Sequence, residues 1–264
     1  MNICIDEVKE SKLLSETADH TKTLAIGALI TDIRQAIKAA SGSEQPVVER
    51  RFHKHNQYLS YGLKTAVFRK ILKDFRPRFT ALPLPERLDL AAKLLGEHIG
   101  ELGHTGIHIL SLSTKELELT HFNFLDQLVD DFRSWSHVDH FCIEILKPLL
   151  WKYRQETLAF LQNWTCSANR FKRRASVVAF TRKVNVSGEF TEDILRFCEA
   201  LIWDEEDIVR KGVGWALKDN LRWAPDRVLP YIRDLRRRGV SSTIVLYAVR
   251  DLKGAEREAV LKKS

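Results

Sequence analysis

Paired cysteines, strand-like alternation and long apolar runs are what this sequence lacks. Its cysteines are Cys4, Cys142, Cys166 and Cys198, and no CxxC pair occurs among them. That argues against a thiolate metal site or a redox pair. Cys142 and Cys198 fall inside apolar helical patterns, where a reduced thiol acts as a small hydrophobe in a reducing compartment. The best apolar stretch, LAIGALI at 24–30, is too short to span a bilayer. Asp6, Glu7 and Glu10 stand where a signal peptide needs a basic region and an apolar run. A soluble, cytoplasmic protein without membrane contact is expected. His53-x-His55, His104-x-x-x-His108 and His137-x-x-His140 lack a third ligand at recognisable spacing, so no metal is expected. Phosphate-loop, dinucleotide and GxSxG signatures are absent, and no cofactor is expected.

What is present is helical periodicity. The 3.6-residue pattern predicts helices near 22–40, 46–59, 64–75, 84–99, 104–112, 120–133, 136–152, 154–163, 169–183, 191–203, 206–222, 225–237 and 241–252. RPRF at 76–79 and LPLPE at 82–86 read as stops, Gly239 as the end of one helix, Thr191 as a capping residue and Pro225 as a first-turn proline. Helix pairs recur about every 35 to 45 residues from about 46 onward, the size of a HEAT-type repeat. The fold class is therefore all-α, a HEAT-like α-solenoid, with a globular helical bundle as the alternative. Residues 1–45, ending in SGSEQP, read as an N-terminal helical extension and linker ahead of a repeat domain over 46–264. The net charge is +7, which favours a polyanionic partner without requiring one.

The stretch SWSHVDHFC, 134–142, raises a chemical question. Trp135, Val138 and Cys142 lie on a broad apolar face, and Asp139 sits on its edge, four residues after Trp135. A buried carboxylate needs a cleft or a cation. Capping a neighbouring helix or bridging to an arginine would also account for it. One repeat later, NRFKRRASVVAF (169–180) puts Arg174 inside an apolar stripe, where a snorkelling arginine is the plain alternative. A further repeat on, Trp215 edges a face made by Ile208, Gly212 and Ala216, as a core tryptophan would. Gly212 and Gly214 imply close backbone approach. Equivalent positions of successive repeats line one face, so Trp135, Asp139, Arg174 and Trp215 are expected side by side.

The ordered set of Trp135-x-x-x-Asp139, Arg173-Arg174-Ala175 and Gly212-x-Gly214-Trp215-x-Leu217-Lys218 resembles the AlkD-like DNA alkylation repair family of HEAT-repeat DNA glycosylases. Gly62-Leu63-Lys64-Thr65 with Arg69 looks like the family's early loop and helix, and 240–252 occupies the place of its final repeat. Phe171 stands where the family has tryptophan, and an early tyrosine has no match around Phe52 and His53.

The resemblance implies a stack of repeats forming a concave basic groove. It also implies excision of cationic N3- and N7-alkylated purines from duplex DNA, in base excision repair, by a monomer. By position, Asp139 becomes the catalytic carboxylate, Trp135 and Trp215 the aromatic walls beside the deoxyribose, and Arg174 a backbone-phosphate contact. The enzyme is expected to be monofunctional, because no lysine nucleophile is evident. It is expected in the cytoplasm at the nucleoid, or in the nucleus of a eukaryote.

The chemistry of the reaction that the resemblance implies suits the set. As a cationic purine leaves, positive charge passes to the sugar, which a carboxylate and π faces favour. On that view Asp139 lacks a protein partner because a transient cation is its partner. Residues 51–79 hold eight Lys/Arg and one acid. Lys64, Thr65, Arg69, Lys70 and Lys73, with Arg170, Lys172, Arg173 and Lys218, are the expected DNA-binding residues. A non-catalytic HEAT-repeat protein that binds damaged, bent or branched DNA is the second class, and a protein-interaction scaffold the third.

Overall fold

A computed structural model of the protein describes residues 23–50 and 58–262, to which every structural statement here refers. These residues fall into two compact units, divided between Ile109 and Leu110. Regular structure is almost wholly helical. No described helix is long and apolar enough to cross a membrane.

The first unit holds α1 (residues 23–41), a short antiparallel pair of β1 (Val47–Val48) and β2 (Leu59–Ser60), α2 (Thr65–Thr80), α3 (Leu84–Gly96) and α4 (Gly100–Ser111), which runs into the second unit. On α1, Ile26, Ile30, Ile33 and Ile37 recur at helical spacing and are buried. The same helix is tied by Asp32 to Arg78 of α2 at 2.8 Å and by Arg34 to Glu97 after α3 at 2.6 Å. A helix over 46–59 is not found. Val47 and Val48 pair instead with Ser60 and Leu59, and residues 51–57, with Phe52, His53 and His55, lie outside the described residues. The β-branched pair follows Pro46 and suits an extended backbone better than a helix start.

RPRF does not end α2 either, which runs through Pro77 to Thr80. Pro77 lies on the exposed side, so the carbonyl one turn earlier that it leaves without a donor can be hydrated. The start of α2 is set from α4. The buried Glu101 carboxylate accepts from Ser60 Oγ at 2.9 Å, Tyr61 N at 3.1 Å and Leu63 N at 3.2 Å. Those bonds hold the turn at Gly62, where φ is 72°, and so place Lys64 and Thr65.

The second unit contains α5 (Phe122–Leu128), α6 (Trp135–Phe141), α7 (Lys147–Lys152), α8 (Arg154–Thr165), α9 (Arg170–Val178), α10 (Thr191–Leu201), α11 (Asp207–Leu221), α12 (Pro225–Arg237), α13 (Ser242–Ala248) and α14 (Gly254–Leu261). Helices α6 and α7 are continuous through a π turn at Cys142–Leu146, in which Lys147 N donates to Cys142 O. Pro148 follows directly. Its ring would clash with the carbonyl at 144 in α register, and the wider turn relieves that clash.

Two layers result. In one, α6 packs on α9, α9 on α11 and α11 on α13; in the other, α8, α10, α12 and α14 follow in order. Polar ties recur at nearly one repeat: Arg154 to Glu189, Arg174 to Asp139 and Arg227 to Glu192, each 35 residues apart. This is the all-α helical-repeat fold that the periodicity predicts. Pro225 opens α12 and Gly239, at φ 76°, follows its end. Thr191 does not cap α10. It sits inside the first turn, and Asn185 Oδ1 accepts from Phe190 N at 2.6 Å instead. Helix α14 was not expected, because only Val260 of its eight residues is buried and its apolar pattern is faint.

Candidate functional site

Ser134 caps α6 by accepting from Ser136 N at 2.9 Å, which fixes Trp135 as the first helical residue. Trp135, Asp139 and Cys142 then share one side of the helix. Across from them, Arg174 of α9 donates Nε to Asp139 Oδ1 at 2.9 Å and Nη2 to Oδ2 at 3.0 Å. Its Nη1 donates to the Ile208 carbonyl of α11 at 2.5 Å. One guanidinium therefore joins three consecutive helices of the layer. The Arg174 and Asp139 side chains are 7% and 15% exposed, so a small part of the Asp139 side chain still reaches solvent.

Small residues allow the helices this close. Cys142 Sγ lies 3.6 Å from the Ala175 carbonyl, and a Cβ at Gly212 would stand 3.4 Å from Arg174 Cγ, Val177 and Val178. Gly214 is under tighter constraint: its Cβ would fall 2.6 Å from Tyr247 Cβ and 2.9 Å from the Ile244 carbonyl of α13. The close approach expected at these glycines is thus present.

The expectation that Asp139 lacks a protein partner is not met. Of the alternatives open at the sequence level, the bridge to an arginine is what forms. The offset that puts Asp139 and Arg174 on one layer also brings them within bonding reach, and a carboxylate this buried needs the cation. Arg174, expected at a phosphate, has its guanidinium turned inward on Asp139 and Ile208. Burial pushes the Asp139 carboxyl above the usual aspartate range. The charge and hydrogen bonds of Arg174, and then the charge of Arg182, oppose that rise.

Trp215 is half-buried on the side of α11 that carries Ile208 and Gly212. The Arg182 guanidinium lies over its ring, 5.5 Å from the centroid. Arg182 was missed in the sequence because it follows the last apolar turn of α9, and nothing local links it to a ring 33 residues away.

The basic residues divide into two groups. Arg170 pairs with Glu206 at 3.5 Å, Lys172 with Asp126 and Asp130 at 3.1 Å each, Arg173 with Asp204 at 2.6 Å, and Lys218 with Asp219 at 3.1 Å. These side chains, expected at phosphates, neutralise carboxylates of the protein itself. Lys64, Thr65, Arg69, Lys70 and Lys73, all in the first unit, are exposed. Lys70 pairs with Asp74 at 3.0 Å, while Lys64, Arg69 and Lys73 have no ion pair among the described residues.

A carboxylate locked bidentately by arginine still has lone pairs directed away from the fork, able to orient water or face a cation. Fold and site together define a helical-repeat protein with a largely buried carboxylate–guanidinium pair on the layer that also carries two half-buried tryptophans. The sequence matches the family described as DNA alkylation repair enzyme over residues 33–252, most of the chain, and the protein belongs to that family. In fold it is similar to a predicted DNA alkylation repair enzyme from Enterococcus faecalis, with a TM-score of 0.67 and 14% identity over 75% of this chain and 91% of that one. The Pseudomonas fluorescens alkylpurine DNA glycosylase AlkC, solved on DNA containing an abasic site analog, aligns with a TM-score of 0.41 and 20% identity over 84% of this chain and 62% of that one. No curated protein matches this chain in sequence.

Proposed function

We propose that the protein is an AlkD-like, monofunctional alkylpurine DNA glycosylase that hydrolyses the N-glycosidic bond of N3- and N7-alkylated purines in duplex DNA. The observation that carries this proposal is the Asp139 carboxylate, held at both oxygens by Arg174 on a side chain not wholly buried, one helical turn from Trp135. In the reaction the C1′–N bond breaks and its electron pair neutralises the cationic base, so no acid is needed. Water adds to C1′ and its proton passes to Asp139 or to solvent. Trp135 and Trp215 offer π faces to the cationic sugar.

The pairing with Arg174 lowers what the carboxylate contributes. A lone carboxylate about 4 Å from the developing cation is worth on the order of 4 kcal/mol at an effective dielectric near 20. A guanidinium about 3 Å further away offsets roughly half of that. What remains, about 2 kcal/mol, corresponds to roughly thirtyfold in rate. A substrate already activated by its charge needs little more, and positioning of the water adds to it.

The test is release of 7-methylguanine and 3-methyladenine from methylated duplex DNA, with wild type beside Asp139→Asn. We expect at least a thirtyfold loss of release with DNA affinity retained. Equal release by both would remove Asp139 from the mechanism. A second reading, a non-catalytic binder of damaged, bent or branched DNA, is favoured by the Asp139–Arg174 pair itself, since such a pair also suits a structural role. Binding without release over a range of adducts would establish that reading.

For DNA contact we assign Lys64, Arg69 and Lys73 to phosphates, with Thr65 and Lys70 beside them. Replacing the first three by alanine is expected to flatten the dependence of log affinity on log salt by about 3. Alanine at Arg170, Lys172 or Arg173 is expected to lower thermal stability and leave that slope nearly unchanged, because each is already neutralised. A fluorescence-anisotropy salt titration separates the two groups.

A further inference from the structure

We propose that Arg182 is a positioning residue of this site, a fixed cation laid over Trp215 from outside the helical layer to balance the charge of Asp139; the catalytic value of that balance rests on the role given to Asp139 above. Backbone geometry is the first observation. Arg182 and Lys183 both have positive φ, 52° and 64°, a conformation that non-glycine residues seldom adopt and hardly ever in succession. Such a pair persists only where the surroundings impose it.

Two bonds impose it on Arg182. Its N–H donates to Asp219 Oδ2 at 2.8 Å, and its carbonyl accepts from Lys147 Nζ at 3.4 Å. Asp219 lies one turn beyond Trp215 on α11. Lys147 lies on the helix that continues from Asp139 through the π turn. The Arg182 backbone is therefore latched to the two helices that carry the site's tryptophan and its carboxylate. Its exposed guanidinium lies on the Trp215 ring, where the ring quadrupole holds it.

Electrostatics gives this placement a consequence. The charged groups acting on Asp139 are Arg174 from α9 and Arg182 from the segment after α9; on its own helix Cys142 is a neighbour whose thiol burial holds well above the usual range and so keeps neutral. From α11 the Ile208 carbonyl meets the far side of Arg174. Desolvation favours the protonated acid, and both arginines oppose it. Arg174 is committed to geometry as well as charge. Arg182 touches neither carboxylate oxygen and acts by charge alone, so it is the separable contributor. Removing it favours protonated Asp139, which shifts the midpoint upward and costs excision activity on the acid side.

The experiment is a 13C NMR titration of aspartate carboxyls, with Asp139 assigned by the resonance lost in Asp139→Asn. We expect an upward shift of its midpoint in Arg182→Gln, largely reversed in Arg182→Lys. Arg182→Gly, which suits the positive φ, is expected to shift it as Gln does and keeps the test open if the Gln variant folds poorly. An Asp139 midpoint unchanged in folded Gln and Gly variants would overturn the proposal. If the midpoint moves but the acid limb of base release does not follow, the role of Asp139 fails while the action of Arg182 on it stands.

Discussion

Arg174→Met is expected to lower stability by about 3–5 kcal/mol at neutral pH, because it leaves Asp139 buried without its cation. For a protein of this size that is a fall in Tm on the order of ten degrees. The loss should depend on pH, and its sign follows from the direction of the shift. The folded carboxyl is already raised by burial, and removing Arg174 raises it further. The folded state then binds a proton that the unfolded state has released. Stability of the variant relative to wild type is therefore best at low pH and falls as pH rises through the raised value.

The double variant Asp139→Leu with Arg174→Met removes both charges and is expected to regain most of the lost stability, since packed apolar residues often replace a buried ion pair at no cost. Base release should stay at least about thirtyfold below wild type in it. Thermal melts beside an excision assay separate the pair's two roles: stability that returns without activity marks Asp139 as chemical, whereas activity that returns would make it structural only.

Gly214→Val is expected to have the second large effect. The added Cβ meets the Tyr247 Cβ and the Ile244 carbonyl, and neither is the yielding end of a flexible side chain. Helices α11 and α13 must separate, at a cost of about 1–3 kcal/mol. Trp215 is the next residue, so the displacement turns its ring relative to Arg174 and Arg182. We expect base release to fall more than stability alone explains, with DNA affinity less affected. Gly212→Ala is the control. Its Cβ would make only firm contacts at 3.4 Å, and a loss below about 1 kcal/mol is expected. Equal effects at the two glycines would show that close packing of α11 on α13 does not position the site.

Much of this arrangement was legible in the sequence. The spacing of Ile33 and Ile37, or of Val138, Cys142 and Ile145, is the physical cause of an amphipathic helix. The offsets of 35 and 41 residues that separate Asp139, Arg174 and Trp215 placed them on successive helices, and they stand on α6, α9 and α11. Failures occurred where local pattern was not the deciding force. Pro77 reads as a breaker but lies on an exposed side where a missing hydrogen bond costs little. The 46–59 segment carries helix-like spacing, yet Val47 and Val48 pair with a strand positioned by Glu101, more than fifty residues on.

Charge was the least legible property. Arg170, Lys172 and Arg173 look like a phosphate-binding cluster because their partners, Glu206, Asp126, Asp130 and Asp204, lie 31 to 46 residues away. By itself the sequence determined most of the helices and the placing of Asp139, Arg174 and Trp215 on successive helices of one layer, since both follow from short-range periodicity repeated along the chain. Only the tertiary structure decided which of these cations pair with carboxylates of the protein and which, among the described residues, do not. It also decided that Asp139 belongs to Arg174 and that Arg182 reaches Trp215. Periodicity fixes which side of a helix a residue occupies, whereas ion pairing depends on distances of a few ångströms between side chains that only the packed helices bring together.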